Sequence, residues 1–163
     1  MILGVVSDTH NNLKNIDTII SIFNEEEVDL VIHTGDITNS NSLAKFSNLK
    51  SEFFAVYGNN DLNETGLEEV ALRNKFILQK PPLLIHKSDR KIAVFHEPEP
   101  IKKFLLEEND YDIVLHGHTH RYRLEEKEGC LIFNPGECAG FLKNKNNIGI
   151  IDLQELIPKI ISF

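Results

Sequence analysis

The first third of the chain alternates short apolar runs with segments of helical periodicity. The runs at residues 1–6, 30–32 and 53–56 are continuously apolar, which is typical of strands buried on both faces. Between them, residues 12–24 place apolar side chains at helical spacing, and residues 42–49 predict a second, shorter helix. An order of strand, helix, strand, helix, strand favours a parallel sheet with right-handed crossovers.

The second half of the chain is richer in predicted strands. Residues 83–86 and 91–95 flank a short polar turn and predict a β-hairpin. One further helix is predicted over residues 101–107. The remaining apolar or alternating runs predict five strands, at 113–115, 121–126, 130–133, 148–153 and 157–161. The whole pattern predicts an α/β fold, a two-layered β-sandwich of mixed sheets flanked by helices.

Composition narrows the class of protein further. A length of 163 residues suits a single domain over residues 1–163 with a substantial core. The net charge of −8 weighs against long nucleic acid as a partner. The sequence shows no apolar run long enough to span a membrane and no secretion-type leader, so we expect a cytoplasmic protein without a membrane partner.

Polar side chains follow almost every predicted strand. In α/β sheets, binding sites gather outside the carboxyl ends of the strands, so residues distant in sequence reach one rim. The side chains at these positions are Asp8, His10, Asp36, Asn59, Asp61, His96, His118 and His120. Gly35 and Gly58 precede two of them and are expected to allow close backbone approach to ions or phosphate.

The run from His116 to His120 is the most informative of these segments. Its imidazoles are two residues apart, and such residues point to the same side of an extended backbone. Taken alone, a chance pairing of surface histidines explains the run equally well. The full set of imidazoles, carboxylates and an amide instead favours a divalent transition metal over Ca²⁺.

Five motif blocks occur in an order that resembles the calcineurin-like metallophosphoesterases. The blocks are Asp8-x-His10, Gly35-Asp36, Gly58-Asn59-Asn60-Asp61, His96 and Gly117-His118-Thr119-His120. Their spacing is similar to that of the small single-domain archaeal and bacterial phosphodiesterase branch, over nearly the whole chain. The segment Asn134-Pro135-Gly136-Glu137 also resembles a turn of that branch. The resemblance implies a four-layer α/β/β/α fold and a metal-dependent phosphoric diester hydrolase.

The resemblance further implies a dinuclear metal centre. The implied ligands are Asp8, His10 and His120 for one ion, Asn59, His96 and His118 for the other, and Asp36 as the bridge. Two divalent transition-metal ions are implied per chain, manganese first, with nickel, cobalt, iron or zinc as alternatives. A hydroxide held between them would hydrolyse a small phosphodiester. From the residues alone, Asn59 could instead form a turn, and His96 could be a hydrogen-bonded histidine at a strand end.

Asn60 and Asp61 are the two positions assigned to catalysis. Asn60 stands where many family members carry a histidine, and an amide can hydrogen-bond a phosphate oxygen but cannot act as an acid. Asp61 is expected to orient a neighbouring imidazole. After His96 the family usually has glycine, whereas this chain has Glu97-Pro98, which is expected to narrow the substrate range.

Two other functions are compatible with the same core. One is a catalytically weak or inactive metal-binding scaffold for protein interactions, as in a retromer subunit that resembles this fold. The complete set of ligand positions argues against it. The other is a nuclease or cyclic-nucleotide hydrolase, and the acidic charge again weighs against long nucleic acid. An exposed sheet edge leaves a homo-oligomer open.

Overall fold

The computed structural model describes residues 1–142 and 145–163. Within these residues the chain forms two mixed β-sheets and four α-helices, which confirms the predicted fold class. The first half contains β1 (Ile2–Val6), α1 (Leu13–Glu25), β2 (Leu30–His33), α2 (Ser40–Lys45), β3 (Glu52–Val56), α3 (Leu67–Asn74) and β4 (Ile77–Gln79). The second half contains β5 (Leu83–Lys87), β6 (Arg90–Val94), α4 (Glu99–Glu107), β7 (Ile113–Leu115), β8 (Arg123–Lys127), β9 (Cys130–Asn134), β10 (Asn147–Asp152) and β11 (Pro158–Ser162).

The two sheets combine parallel centres with antiparallel edges. The first sheet has the order β11-β10-β1-β2-β3-β4, and β1 to β4 run parallel because helices connect them as crossovers. Its last two strands, β10 and β11, pair antiparallel as the predicted closing pair. The second sheet has the order β5-β6-β7-β9-β8, and the predicted hairpin forms its edge as β5 and β6.

Three apolar clusters define the layers. Along β2, Leu30 and Ile32 face the second sheet, whereas Val31 packs beneath α1, α2 and α3. Helix α4 covers the outer face of the second sheet through residues such as Ile101 and Phe104. Both faces of the central strands are therefore buried, and this explains why their sequences are continuously apolar. The resulting order of layers is α/β/β/α, as the resemblance implied.

Helix α1 shows how the sequence specifies a local element. The side chain of Asn12 accepts a hydrogen bond from the backbone N–H of Asn15 at 3.2 Å and caps the helix. Ile16, Ile19 and Phe23 are fully buried on one face, as the helical spacing predicted. Among the described residues, none of the helices is both long and apolar enough to cross a membrane.

The sequence did not predict α3 and β4. Helix α3 buries Leu67, Val70 and Ala71 but leaves Leu72 82% exposed, so its apolar stripe is short and diluted. Strand β4 has three residues, lies at the edge of the first sheet and is mostly exposed. Neither element has a periodic pattern long enough to predict it from the sequence. The formation of α3 and β4 therefore depends on packing against the rest of the fold.

Gly149 in β10 faces the interior between the sheets. A substitution at this position tests how tightly that core is packed. A Cβ atom at this position would overlap the ring of Phe133, lying 2.6 Å from its Cζ atom. We expect Gly149→Ala to lower the free energy of unfolding by about 1–3 kcal/mol, because overpacking a closed core forces its neighbours to move. Urea denaturation measures the change.

Phe133→Leu provides the matching variant for a double-mutant cycle. A leucine is smaller than the fully buried ring of Phe133 and frees space for the added methyl group. The double variant should therefore be more stable than the sum of the two single changes predicts. Strictly additive effects would show that contact with Phe133 is not the cause.

Candidate metal centre

The candidate site lies on the rim where strands from both sheets end. The loops after β1, β2 and β3 and those after β6 and β7 carry all seven side chains predicted as ligands. Ligand atoms of Asp8, His10 and His120 lie within 4.8 Å of one another, and so do those of Asp8, Asp36 and His96. These two groups join four of the loops, and Asn59 from the loop after β3 joins them through contacts with His96 and His118, as expected for strand ends on one rim.

The first cluster of ligand atoms surrounds Asp8. Its Oδ2 atom accepts hydrogen bonds from the Ser7 hydroxyl and from the backbone N–H of His118, the latter at 3.1 Å. Its Oδ1 atom is buried, has no hydrogen-bond partner in the described part of the chain, and lies 3.4 Å from Nε2 of His120. The Nε2 atom of His10 is likewise buried without a partner there. Buried acceptors without donors are costly, and a divalent cation would satisfy both of these atoms.

The second cluster surrounds the side-chain oxygen of Asn59. This Oδ1 atom lies 2.9 Å from Nε2 of His96 and 3.0 Å from Nδ1 of His118. The other ring nitrogen of His96, Nδ1, donates to the carbonyl of Thr34 at 2.8 Å. That bond directs Nε2 toward Asn59, which is the orientation that a hydrogen-bonded histidine ligand adopts in metal sites. The amide oxygen of Asn59 and the two imidazole nitrogens are ligand atoms that suit a second divalent cation.

Asp36 lies between the two clusters. Its Oδ2 atom is 3.8 Å from Nε2 of His10, and its Oδ1 atom is 3.5 Å from Nε2 of His96. Burial acts to raise the pKa of Asp36, but hydrogen bonds from His96 and Asn60 outweigh burial and hold the pKa below its ordinary value. Burial lowers the pKa of His96, yet the contact with Asp36 raises it above its ordinary value. A divalent cation bound at Nε2 of His96 would compete with a proton for that atom.

Most of the predicted ligands have a left-handed backbone conformation, which the sequence did not predict. For residues other than glycine this conformation costs about 1–3 kcal/mol each, although Asp and His adopt it more readily than most. The surrounding loops hold the strained residues in place through backbone hydrogen bonds, such as that from His10 N–H to the carbonyl of Asp36 at 2.9 Å. The residues and their φ angles are Asp8 (50°), His10 (46°), Asp36 (60°), His118 (66°) and His120 (57°).

Asp61 differs from its predicted role. Its Oδ2 atom accepts the backbone N–H groups of Gly58 at 2.7 Å and Asp36 at 2.8 Å, and its Oδ1 atom accepts that of Thr38 at 2.6 Å. Backbone groups rather than an imidazole occupy both oxygens, so the expectation that Asp61 orients an imidazole is wrong. Burial raises the pKa of this carboxyl above its ordinary value, against the lowering effect of the hydrogen bonds. Asp61 ties the loop after β2 to the loop after β3 and thereby positions Asp36.

Asn60 lies at the exposed rim and is engaged with Asp36. Its backbone N–H donates to Oδ1 of Asp36 at 2.9 Å and its side-chain amide donates to Oδ2 at 2.7 Å. The predicted contact between Asn60 and a phosphate oxygen stays a prediction.

Gly35 and Gly58 allow the loops of the site to pack closely against the ligands. A Cβ atom on Gly58 would overlap the Asp36 carboxylate, and one on Gly35 would lie 2.6 Å from Nδ1 of His96.

Other polar residues support the rim without belonging to the predicted ligand set. Burial lowers the pKa of His33 to about 3 and that of His116 to about 4, so both rings are neutral near pH 7. His33 accepts the backbone N–H of Gly35 at 3.1 Å. Asn134 donates to the carbonyl of Gly117 at 3.0 Å and steadies the loop that carries His118. The turn noted in the sequence therefore has a physical role at the site.

Phe141 is a site residue that the sequence did not reveal. The residue is 64% exposed, yet its ring stacks on that of His120 with a centroid distance of 5.7 Å and lies 4.9 Å, centroid to centroid, from the ring of His10. Glu137, which is fully buried, accepts the backbone N–H groups of Gly140 at 2.9 Å and Leu142 at 2.7 Å. One carboxylate thus holds the backbone on both sides of Phe141. An exposed phenylalanine in a loop has no sequence signal that distinguishes it from an ordinary surface residue.

We expect Phe141→Ala to weaken metal binding at the first cluster. Aromatic packing of this kind contributes about 0.5–1.5 kcal/mol, which corresponds to a roughly 2- to 10-fold loss of affinity. Isothermal titration calorimetry with Mn²⁺ measures it, and Phe141→Tyr, which keeps the ring, should bind metal as the unaltered chain does. Equal affinities for the alanine variant and the unaltered chain would remove Phe141 from the site.

Comparison with known proteins assigns this chain to a family. A model of the calcineurin-like phosphoesterase superfamily domain matches residues 1–156. The phosphodiesterase MJ0936 of Methanocaldococcus jannaschii is 36% identical over 157 residues, which cover 95% of each chain. The solved structure of an archaeal phosphodiesterase matches with a TM-score of 0.92 and 34% identity over the whole of both chains. Vps29 from Entamoeba histolytica shares the fold, with a TM-score of 0.71 and 18% identity over 100% of this chain and 99% of that chain. This chain belongs to the calcineurin-like phosphoesterase superfamily.

Proposed function

We propose that this protein is a hydrolase of small phosphodiesters that acts with two divalent transition-metal ions. The position of the Asp36 carboxylate between the first cluster, around Asp8, and the second cluster, around Asn59, carries the proposal. Membership of a phosphoesterase superfamily and similarity to a relative named a phosphodiesterase support it. In the same proposal, residues 1–163 form one domain and the protein is cytoplasmic, as expected from the sequence.

The proposed ligands divide between the two ions as the resemblance implied. Asp8, His10 and His120 would hold the first ion, Asn59, His96 and His118 the second, and Asp36 both. Bound at these positions, the ions would lower the pKa of a water between them to supply the nucleophile and would neutralise the charge on the phosphate. Manganese is the first candidate, with nickel, cobalt, iron and zinc as alternatives.

Backbone and side-chain groups of the chain itself hold the ligands in place. Thr34 orients His96 through its carbonyl, and the two hydrogen bonds from Asn60 hold the plane of the Asp36 carboxylate. Because the amide of Asn60 cannot protonate a leaving group, we expect phosphodiesters with good leaving groups to be preferred and water to supply the proton.

Hydrolysis of bis-p-nitrophenyl phosphate by metal-stripped protein tests the proposal. The protein is resupplied separately with Mn²⁺, Ni²⁺, Co²⁺, Zn²⁺ or Mg²⁺, and p-nitrophenyl phosphate is assayed in parallel. We expect turnover of the diester to return with at least one transition metal and to exceed turnover of the monoester. Elemental analysis of the active form should find two ions per chain.

Two results would contradict the proposal. A single bound ion in the active form would exclude the dinuclear arrangement. Absence of both tight metal binding and diester turnover would instead support the non-catalytic scaffold, to which the shared fold of Vps29 lends no more than an architectural precedent.

A further inference from the structure

A pocket of about 340 Å³ opens beside the second cluster of ligand atoms. Asn59 and His96 form the edge nearest the candidate metal centre, so a phosphate held there would lie at the mouth of the pocket. The volume falls within the range of about 300–1,000 Å³ that is typical of small-molecule sites. Its apolar lining comes from Tyr57, Leu62, Pro81, Pro82, Phe95 and Pro100.

Leu62 is the most exposed large apolar side chain of this lining. It is 57% exposed and lies in the turn directly after Asp61, on the loop that also carries Asn59. Because Leu62 is exposed beside the polar metal-ligand rim, it gains little free energy from burial in the protein core. It offers apolar contact area to a ligand instead.

The charged residues of the pocket indicate which kind of group it suits. Lys80 and Glu97 both line it, and their charges are opposite. A further anionic group would meet the carboxylate of Glu97 as well as the ammonium of Lys80, so it would gain little net attraction. An uncharged apolar group would bury surface against the leucine and proline side chains without an unpaired charge.

We propose that this pocket binds an uncharged aromatic or otherwise apolar ester group of the phosphodiester, and this inference rests on the proposed function. The phosphate at Asn59 and His96 is the charged part of the substrate, and the ester group extends from it into the pocket. A phosphate monoester has a single organic group and a second negative charge, so occupation of this pocket also favours diesters over monoesters.

Two substrates with the same leaving group test the assignment. Methyl p-nitrophenyl phosphate and phenyl p-nitrophenyl phosphate are compared for the unaltered chain, Leu62→Ala and Leu72→Ala. Leu72 is 82% exposed on α3 and does not line the pocket, so it is the matched control. We expect Leu62→Ala to raise KM for the phenyl substrate about 3- to 10-fold with little change in kcat, because the lost contact is made equally in the ground and transition states.

The pattern of KM values identifies the occupant. A rise for the phenyl substrate alone places the retained ester group in the pocket, and an equal rise for both substrates places the nitrophenyl leaving group there. Either result supports the assignment if Leu72→Ala leaves both values unchanged. Unchanged KM values for both substrates in Leu62→Ala would overturn it.

A binding measurement separates failure of this inference from failure of the proposed function. Titration of the metal-loaded protein with diphenyl phosphate or dimethyl phosphate, followed by NMR, reports binding without hydrolysis. Leu62-dependent preference for diphenyl phosphate without any diester turnover would retain the pocket and reject the hydrolase. Diester turnover in a protein that binds both compounds equally, with or without Leu62→Ala, would retain the hydrolase and reject the pocket.

Discussion

Asp36→Asn is expected to lower metal-dependent turnover of bis-p-nitrophenyl phosphate by more than about 100-fold. Loss of a residue that merely supports a metal ligand costs about 10- to 100-fold in metal affinity or activity, and Asp36 contacts both clusters directly. Asparagine nearly preserves the shape but removes the charge that two cations would share. Steady-state kinetics with the best metal from the reconstitution experiment provide the measurement.

Asp17→Asn is a suitable control for the loss of one carboxylate. Asp17 is exposed on α1, pairs with Lys45 at 2.8 Å and lies outside the site. It should retain full turnover, because an exposed ion pair contributes little to stability. Two bound ions together with turnover within about tenfold of the unaltered chain in Asp36→Asn would show that this carboxylate is not the shared ligand.

Asp61→Ala should lower the free energy of unfolding by roughly 3 kcal/mol or more. The change leaves three backbone N–H groups without their acceptor, and each unsatisfied buried group costs about 1–3 kcal/mol. Because Gly58 and Asp36 are held by the same oxygen, turnover should also fall in protein that remains folded. Urea denaturation and circular dichroism at the assay temperature measure the two effects separately.

Asp61→Asn and Asp29→Ala calibrate that prediction. Asparagine keeps one acceptor oxygen but turns an NH₂ group toward backbone donors, so its stability should lie between those of the unaltered chain and Asp61→Ala. Asp29 accepts a single backbone N–H, that of Ile2 at 2.7 Å, and its loss should cost about 1 kcal/mol. If Asp61→Ala were no more destabilising than Asp29→Ala, the three hydrogen bonds would not be the reason for the burial of Asp61.

Much of the fold was predictable because its strands are buried on both faces. Continuous apolar runs marked β1, β2 and β3, and a helical stripe marked α1. Element boundaries were predicted less accurately than the elements themselves: the strand expected at 121–126 spans Arg123–Lys127, and Arg121 and Tyr122 belong to the loop after His120. Elements with few buried residues left no comparable pattern, as α3 and β4 show.

The polar residues of the candidate site were predictable for a related reason. Aspartate and histidine directly after a buried apolar run interrupt it conspicuously, and strand ends meet on one rim whatever the details of packing. The sequence alone could therefore place His118 and His120 on the same rim as Asp8. It could not identify the partners of Asp61, because the acceptor oxygens of Asp61 meet backbone N–H groups of other loops, and backbone groups are the same in every residue.

By itself, the sequence determined the α/β class, the positions of most strands along the chain and the set of residues that converge on the rim, because periodicity and residue type act locally along the chain. Tertiary structure alone decided how those residues are held. It gave Asp61 its backbone partners and brought Phe141 over His120. It also shaped the pocket around Leu62 from loops distant in sequence. Such contacts depend on distances between segments that no local pattern encodes, and they become visible only when the two sheets and their loops are packed together.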